Sequence, residues 1–350
     1  MNLNRNNLKL PGYQRGVNLI ELLIALTISL MVLAGASVIL VNANKSSRIQ
    51  DDLVGMQENA RFAVQQIADD IRMSGYYGCV EDINPVDPAG PIINNLSASA
   101  DFINFPVTGY EHSGTPVTTL TDNNRDVLEI QYAVPVTTMS GDMSSPQDDI
   151  PVNDTSEISV ADILMIATCE TGDIFAVSGL GTGTIQHQTD TTSGGDLTIE
   201  NNSDSLSALY PQQSYPGIDN VVYRFNRVKY SISDDGGVPA LFRAVNQPLD
   251  TPGDPFIRGV DAFEVLYGED TDGDSIPNTY VAADAVTNWG AISAIRFALL
   301  MRTENEYGND FDRADDNGDT VSVLGEDFTV GDERVRRRVF QTTVYVRNSI

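Results

Sequence analysis

The stretch Val17-Asn18-Leu19-Ile20-Glu21-Leu22-Leu23-Ile24-Ala25-Leu26-Thr27-Ile28 decides how this chain folds. It opens an almost wholly apolar run that reaches Val41, interrupted by Asn18, Glu21, Thr27 and Ser29. A run of about 20 apolar residues is long enough to cross a bilayer as a helix. Ahead of it, residues 1–16 carry Arg5, Lys9 and Arg15 and no acid. Basic residues there keep a short leader in the cytoplasm and send the downstream chain across the membrane. A cleaved secretory signal would need a small-residue site such as Ala34-Gly35-Ala36, but the segment is long for that class. A plain anchor would have no use for Glu21, since an acidic residue at a helix centre in lipid costs about 2.5 to 3.5 kcal/mol, less near the end. A carboxylate kept in such a place calls for a partner.

Helical spacing continues past Val41. Ile49, Leu53, Met56, Ala60, Ala63, Ile67 and Ile71 recur at steps of three and four, with Arg48, Gln57, Arg61, Gln65, Asp69 and Asp70 assigned to the other face. No proline falls between Val17 and Gly75. Gly35 and Gly55 cost about 1 kcal/mol each against alanine. The spacing predicts one helix over residues 17–74, about 85 Å long at its standard rise, stopped by Ser74-Gly75 and Gly78.

The string Arg15-Gly16-Val17-Asn18-Leu19-Ile20-Glu21-Leu22 resembles the class III signal of type IV pilins and type II secretion pseudopilins. The resemblance implies a cut between Gly16 and Val17 by the prepilin peptidase on the cytoplasmic face, followed by N-methylation of Val17. Glu21 then becomes the fifth mature residue. Val17 stands where the family usually has phenylalanine. In a filament of such subunits the amino group of one lies near the glutamate of its neighbour, and pairing removes the penalty each charge would carry alone in an apolar bundle. Glu21 is therefore expected to set assembly.

The rest of the 350 residues excludes more than it assigns. With 49 acidic against 21 basic residues and a formal charge of -28, the chain repels nucleic acid. Two cysteines and two histidines leave no four-cysteine zinc or iron–sulfur site and no histidine-rich centre. No nucleophile–base set can be named, so no enzyme is expected. From about residue 76, Gly, Pro, Asn, Asp, Ser and Thr separate short runs rich in Val, Ile, Tyr and Phe. Strands are predicted at 127–134, 158–167, 173–177, 221–231, 240–245, 263–267, 294–301 and 339–346, antiparallel where polar and apolar residues alternate. Residues 136–157 and 181–220 read as long surface loops. The chain thus divides into four segments: a leader at 1–16, a membrane and filament-core helix at 17–41, its amphipathic continuation at 42–75, and a β-rich head at 76–350. The fold class is α+β and type IV pilin-like.

Cys79 and Cys169 would face an oxidising periplasm after membrane crossing. A disulfide between them would close a loop of about 90 residues and contribute about 4 kcal/mol in the chain-entropy account; two buried thiols are the alternative.

Asp70-Ile71-Arg72-Met73-Ser74-Gly75-Tyr76-Tyr77-Gly78-Cys79 resembles the helix exit of PilW-type minor pilins. Phe297–Arg302 and Arg336–Asn348 resemble the late strands of that group, and the J-type pseudopilins of type II secretion have a related end. The resemblance implies a minor pilin that primes pilus assembly and sits at or near the pilus tip. Its partners would be other minor pilins, the major pilin, a large tip adhesin and the inner-membrane assembly platform. It implies insertion in the bacterial inner membrane with the head in the periplasm, then extracellular exposure, and a bearing on adhesion and twitching motility. A type II secretion pseudopilin and a calcium-dependent, membrane-anchored adhesion module are the alternatives.

Asp270-Thr271-Asp272-Gly273-Asp274-Ser275-Ile276-Pro277-Asn278 sets carboxylates at alternate positions, as a loop wrapping one hard cation requires. Ile276 would offer a backbone carbonyl and Asn278 a side-chain or water-mediated ligand. The segment resembles the calcium loops of thrombospondin-type and dockerin repeats. It departs from the EF-hand loop, with Ser275 at position six and Val281 at position twelve. Asp312, Asp315, Asn317 and Asp319 form a second acidic loop around an Asn-Gly turn. The reading without a metal is a solvated acidic turn in each case. His112 and His187 read as surface residues, and Trp289 as a residue of the core or of loop packing. Gly179-Leu180-Gly181-Thr182-Gly183 lacks the context of a phosphate loop.

Overall fold

The computed structural model describes residues 18–80, 90–96, 105–111, 126–189, 200–247, 253–305, 320–329 and 335–347. The chain divides into two compact units, Met1–Asp52 and Leu53–Ile350. The leader, Gly16 and Val17, the acidic loop of Asp312, Asp315, Asn317 and Asp319, and His112 lie outside the described residues.

Helix α1 is Leu19–Met73, close to the predicted span. Its first turn begins with the Leu22 N–H donating to Asn18 O at 3.2 Å. Neither Gly35 nor Gly55 has any atom within 4 Å of where a Cβ would sit, so neither is required by a close contact. The helix stops where predicted. Ser74 Oγ turns back to Ile71 O at 2.7 Å, Gly75 takes a φ of 74°, and the Gly75 N–H leaves the helix for Gln131 O at 2.9 Å.

The second unit is built from α1 beyond Asp52 and from strands. In chain order they are β1 (Ile92–Asn94), β2 (Val107–Tyr110), β3 (Val127–Thr138), β4 (Ile150–Pro151), β5 (Ile163–Ala167), β6 (Gly172–Ala176) and β7 (Gly179–Gly181). Next come β8 (Thr184–Gln186), β9 (Gln213–Tyr215), β10 (Ile218–Asp219), β11 (Val221–Asp234), β12 (Pro239–Val245) and β13 (Asp254–Arg258). β14 (Val260–Glu269), β15 (Thr279–Val281), β16 (Ile292–Arg302), β17 (Thr320–Val323), β18 (Glu326–Thr329) and β19 (Arg337–Tyr345) complete the set. The Val- and aromatic-rich β11 organises the first sheet. β3 pairs with it from Val221 to Tyr230, while β5 takes its other edge over Val221–Arg224 and β12 over Val228–Asp234. A second sheet has the order β15-β14-β16-β19. Pairing among the described strands is antiparallel except between β1 and β6. The fold is thus α+β and pilin-like, as the sequence predicts.

The amphipathic half of α1 packs on both sheets. Ala60, Ala63, Ile67 and Ile71 are completely buried, with Leu128, Ile130, Val228 and Tyr230 from the first sheet and Phe263, Ile295, Phe297 and Leu299 from the second. Alanines at two of these helix positions let the helix backbone approach the strands closely. Trp289 lies against this core, edge-on to Tyr267 at 4.8 Å.

Three sequence expectations fail here. Residues 136–157 and 181–220 are not simply surface loops. They supply β4 and β8 of the three-stranded sheet β4-β8-β7 and bury Met139, Met143, Ile150, Val152, Ile185, Leu206 and Tyr210 in a core shared with β5, β6 and β11. Strands of two or three residues show no alternation, so the sequence hides them. His187 is fully buried rather than on the surface. Its Nε2 meets Asp148 O at 3.0 Å and its ring stands edge-on to Phe175. The predicted strand at 158–167 begins only at Ile163, because Ala161 adopts a φ of 73° and Asp162 closes a turn by accepting from the Ser159 N–H.

Candidate functional site

The apolar stretch of α1 carries its side chains uncovered. Leu30 and Met31 are 72% and 75% exposed, and none of the large apolar residues from Leu19 to Val41 is buried. Two of its three hydroxyls are already satisfied by the helix itself. Thr27 Oγ1 donates to Ile24 O and Ser37 Oγ to Leu33 O, both at 2.8 Å, so neither would be left without a partner in an apolar setting. Glu21 differs. It lies in the first helical turn, where a negative charge meets the positive end of the helix dipole, and it borders a shallow groove with Asn18, Ile24, Ala25 and Ile28. It is the one charged residue between Asn18 and Val41.

A second carboxylate of α1 has the opposite setting. Asp70, assigned from the sequence to the polar face, is buried. It accepts from Tyr132 Oη at 2.9 Å, from Tyr230 Oη, and from Arg243 Nε and Nη2, each at 3.2 Å. One helix residue is thereby tied to β3, β11 and β12. Burial first, and then the Asp70 charge, push both phenols above their ordinary range, so both remain donors. Burial opposes the Arg243 charge, but Asp70 outweighs it and raises the guanidinium pKa. The sequence does hold a signal for this. Asp70 follows Ala63 by seven positions and Ile67 by three, which sets it on the inward stripe.

The helix exit is fastened again below this joint. Cys79 and Cys169 form a disulfide with Cα atoms 4.7 Å apart, which ties the exit to the turn between β5 and β6. Tyr77 stacks on Phe225 nearby, with ring centroids 6.0 Å apart.

The acidic segment at 270–278 forms the turn between β14 and β15. Carboxylate oxygens of Asp270, Asp272 and Asp274 all lie within 4.8 Å of one another. Asp270 is the hub, accepting from the N–H groups of Gly273 and Ser275 at 2.7 Å and of Asp272 at 3.1 Å. Desolvation alone would raise the Asp270 pKa, but these backbone donors outweigh it and hold the carboxyl below its ordinary value. Ser275 takes a φ of 66°, a left-handed conformation at the position where the EF-hand uses glycine for its sharp turn. Asn278 is not aimed at the three carboxylates. Its Oδ1 accepts from Thr271 N–H at 2.6 Å. The turn is anchored by Glu269, whose carboxylate accepts from Thr287 and Asn288 N–H groups.

Residues 229–348 match the family model PilW, described as type IV pilus-assembly protein W. No curated protein and no solved structure gives a significant match. The matched stretch runs from the later half of β11 through β19, so it holds Arg243, the acidic turn and the whole second sheet, but not α1. It bears out the resemblance read from the late strands: over this third of its length the chain is similar to the PilW family of type IV pilus-assembly proteins.

Proposed function

We propose that this chain is a minor pilin of the type IV pilus, cut between Gly16 and Val17, methylated on Val17, and joined to its neighbours through α1 and Glu21. The observation that carries the reading is the lone carboxylate on an uncovered apolar stretch of helix, in a chain part of which matches the PilW family model. A charge in that setting is costly until another molecule supplies its counter-charge. The neighbour's methylated amino group is the partner that the leader motif provides. The head would face the periplasm before assembly and lie at or near the tip afterwards, with other minor pilins and a large tip adhesin. The high negative charge suits few copies better than a shaft, because like-charged heads repel at low salt. Mass spectrometry of sheared surface filaments tests this directly. The expected peptide starts at N-methylated Val17, in low abundance beside a smaller major pilin. Processed protein confined to the inner membrane would favour a type II secretion pseudopilin, and an intact leader would end the assembly reading.

The turn at 270–278 supports a second property, calcium binding by Asp270, Asp272 and Asp274 with the Ile276 carbonyl. The converging carboxylates favour it. Asn278 would have to release Thr271 to contribute. Calorimetric titration should give calcium heat that Asp272→Asn with Asp274→Asn removes. No heat at millimolar calcium would leave the turn as a solvated acidic hairpin. Asp312, Asp315, Asn317 and Asp319 remain a weaker second candidate, tested in the same titration.

A further inference from the structure

Strand β19 closes the second sheet at one side. β16 pairs with it along its full length, without a register shift, and among the described residues no strand lies on its other edge. The Val346 N–H donates to Ser293 O, and the Thr303 N–H to Arg336 O, both at 2.9 Å. Even-numbered residues therefore turn their backbone groups toward β16. Antiparallel alternation then turns the N–H and C=O of Val339, Gln341, Thr343 and Tyr345 outward. The hairpin of β17 and β18 packs on a face of the sheet, on Ala262, Ala298 and Leu300 of β14 and β16, with the Val339 side chain of β19 against the same cluster.

The edge is also the wrong charge for its protein. From Arg334 to Arg347 the sequence has five arginines and no acid, in a chain with a formal charge of -28. Arg337 is committed, its Nε 2.6 Å from the buried Asp261. Arg338 and Arg347 are exposed, and the Arg338 guanidinium lies along the strand, 5.4 Å from the Phe340 ring centroid. An unpaired edge is a template for another strand, and charged side chains decide which strand is admitted. A second copy of β19 would bring no carboxylate to these arginines.

We propose that the outer edge of β19 receives an extended, acidic strand from a different protein. Backbone bonds to Val339, Gln341, Thr343 and Tyr345 would supply affinity, and Arg338 and Arg347 would select carboxylates on the incoming strand. This stands apart from the minor-pilin reading, since it concerns the head and holds wherever the head is displayed.

Site-specific photocross-linking in the producing cell, with the full chain, tests it. A photoreactive residue replaces Gln341, or Asp272 as a control on the acidic turn. The expected adduct at 341 maps, by peptide mass spectrometry, to an acidic extended segment of another protein and is absent at 272. Thr343→Pro removes one outward N–H and leaves the ladder to β16 intact, and should reduce the adduct about tenfold or more. Should that variant misfold, as judged by failure to form the Cys79–Cys169 disulfide, the double variant Arg338→Glu, Arg347→Glu takes its place, with the same loss expected. An adduct to a second copy, to residues 304–319 of the same chain or to lipid would overturn the proposal. So would an adduct unaffected in a folded variant, or no adduct at all.

Discussion

Helix α1 carries two carboxylates among apolar residues, and they meet opposite fates. Asp70 sits in a closed setting, held by two tyrosines and an arginine. Glu21 stands on a stretch of helix with no cover at all. The stretches differ in side-chain size as well. Around Asp70 the buried positions include Ala60, Ala63 and Ala68, which admit strands close to the helix, whereas the exposed positions around Glu21 are mostly Leu and Ile. One carboxylate is satisfied within the chain and so belongs to stability. On the proposed reading the other is left for a neighbour and serves assembly.

Removing the partnered carboxylate should have the largest effect on folding. Asp70→Ala leaves Arg243 and two phenols without their acceptor, and should cost about 3 to 5 kcal/mol, the range for breaking a buried pair. Thermal unfolding of the detergent-purified chain would show it. An unchanged transition would mean that water replaces Asp70 and that the contrast with Glu21 is empty. Next comes the disulfide. Cys79→Ser with Cys169→Ser should cost about 3 to 4 kcal/mol, chiefly by freeing the unfolded chain, and a reducing agent should reproduce that loss in the wild type.

A third carboxylate gives a pH effect of intermediate size. Asp126 lies beside β3, and its Oδ2 accepts from the Val265 N–H at 2.6 Å. Burial, and then the charge of Glu111, push its pKa up to about 8. Burial likewise raises Glu111, the backbone N–H of Ala283 partly opposing it. Because the folded state holds the Asp126 proton more tightly than the unfolded state, its contribution is complete below about pH 4. It is lost as pH rises through about 8. Stability should therefore fall across that window. Asp126→Asn keeps an acceptor for Val265 and should gain about 1 to 3 kcal/mol at the alkaline end. Equal pH slopes for variant and wild type would contradict the assignment. The smallest expected change is Gly55→Ala, which meets no atom within 4 Å and should stabilise by up to about 1 kcal/mol.

Local features were legible in the sequence, and distant partnerships were not. The span of α1 came from an unbroken three-and-four spacing and the missing proline. The eight expected strands fall on β3, β5, β6, β11, β12, β14, β16 and β19, all with runs of branched or aromatic residues. The joint at Asp70 escaped because its partners lie 62, 160 and 173 residues away, and no local pattern announces them. His187 escaped for a similar reason, since a loop residue is buried only once β4, β7 and β8 have assembled around it. The carboxylates of the 270–278 turn were legible because they are neighbours in sequence, whereas the tie between Asn278 and Thr271 depends on how that turn closes.

The central claim is that Glu21 waits for a partner on another molecule while Asp70 has its own. The direct measurement is the share of Glu21→Ala protein in sheared filaments relative to the membrane, beside its thermal unfolding. The account predicts an unchanged unfolding transition and a filament share reduced by about tenfold or more, as loss of a pair in an apolar bundle implies. A normal filament share, or a head that unfolds earlier, would contradict it.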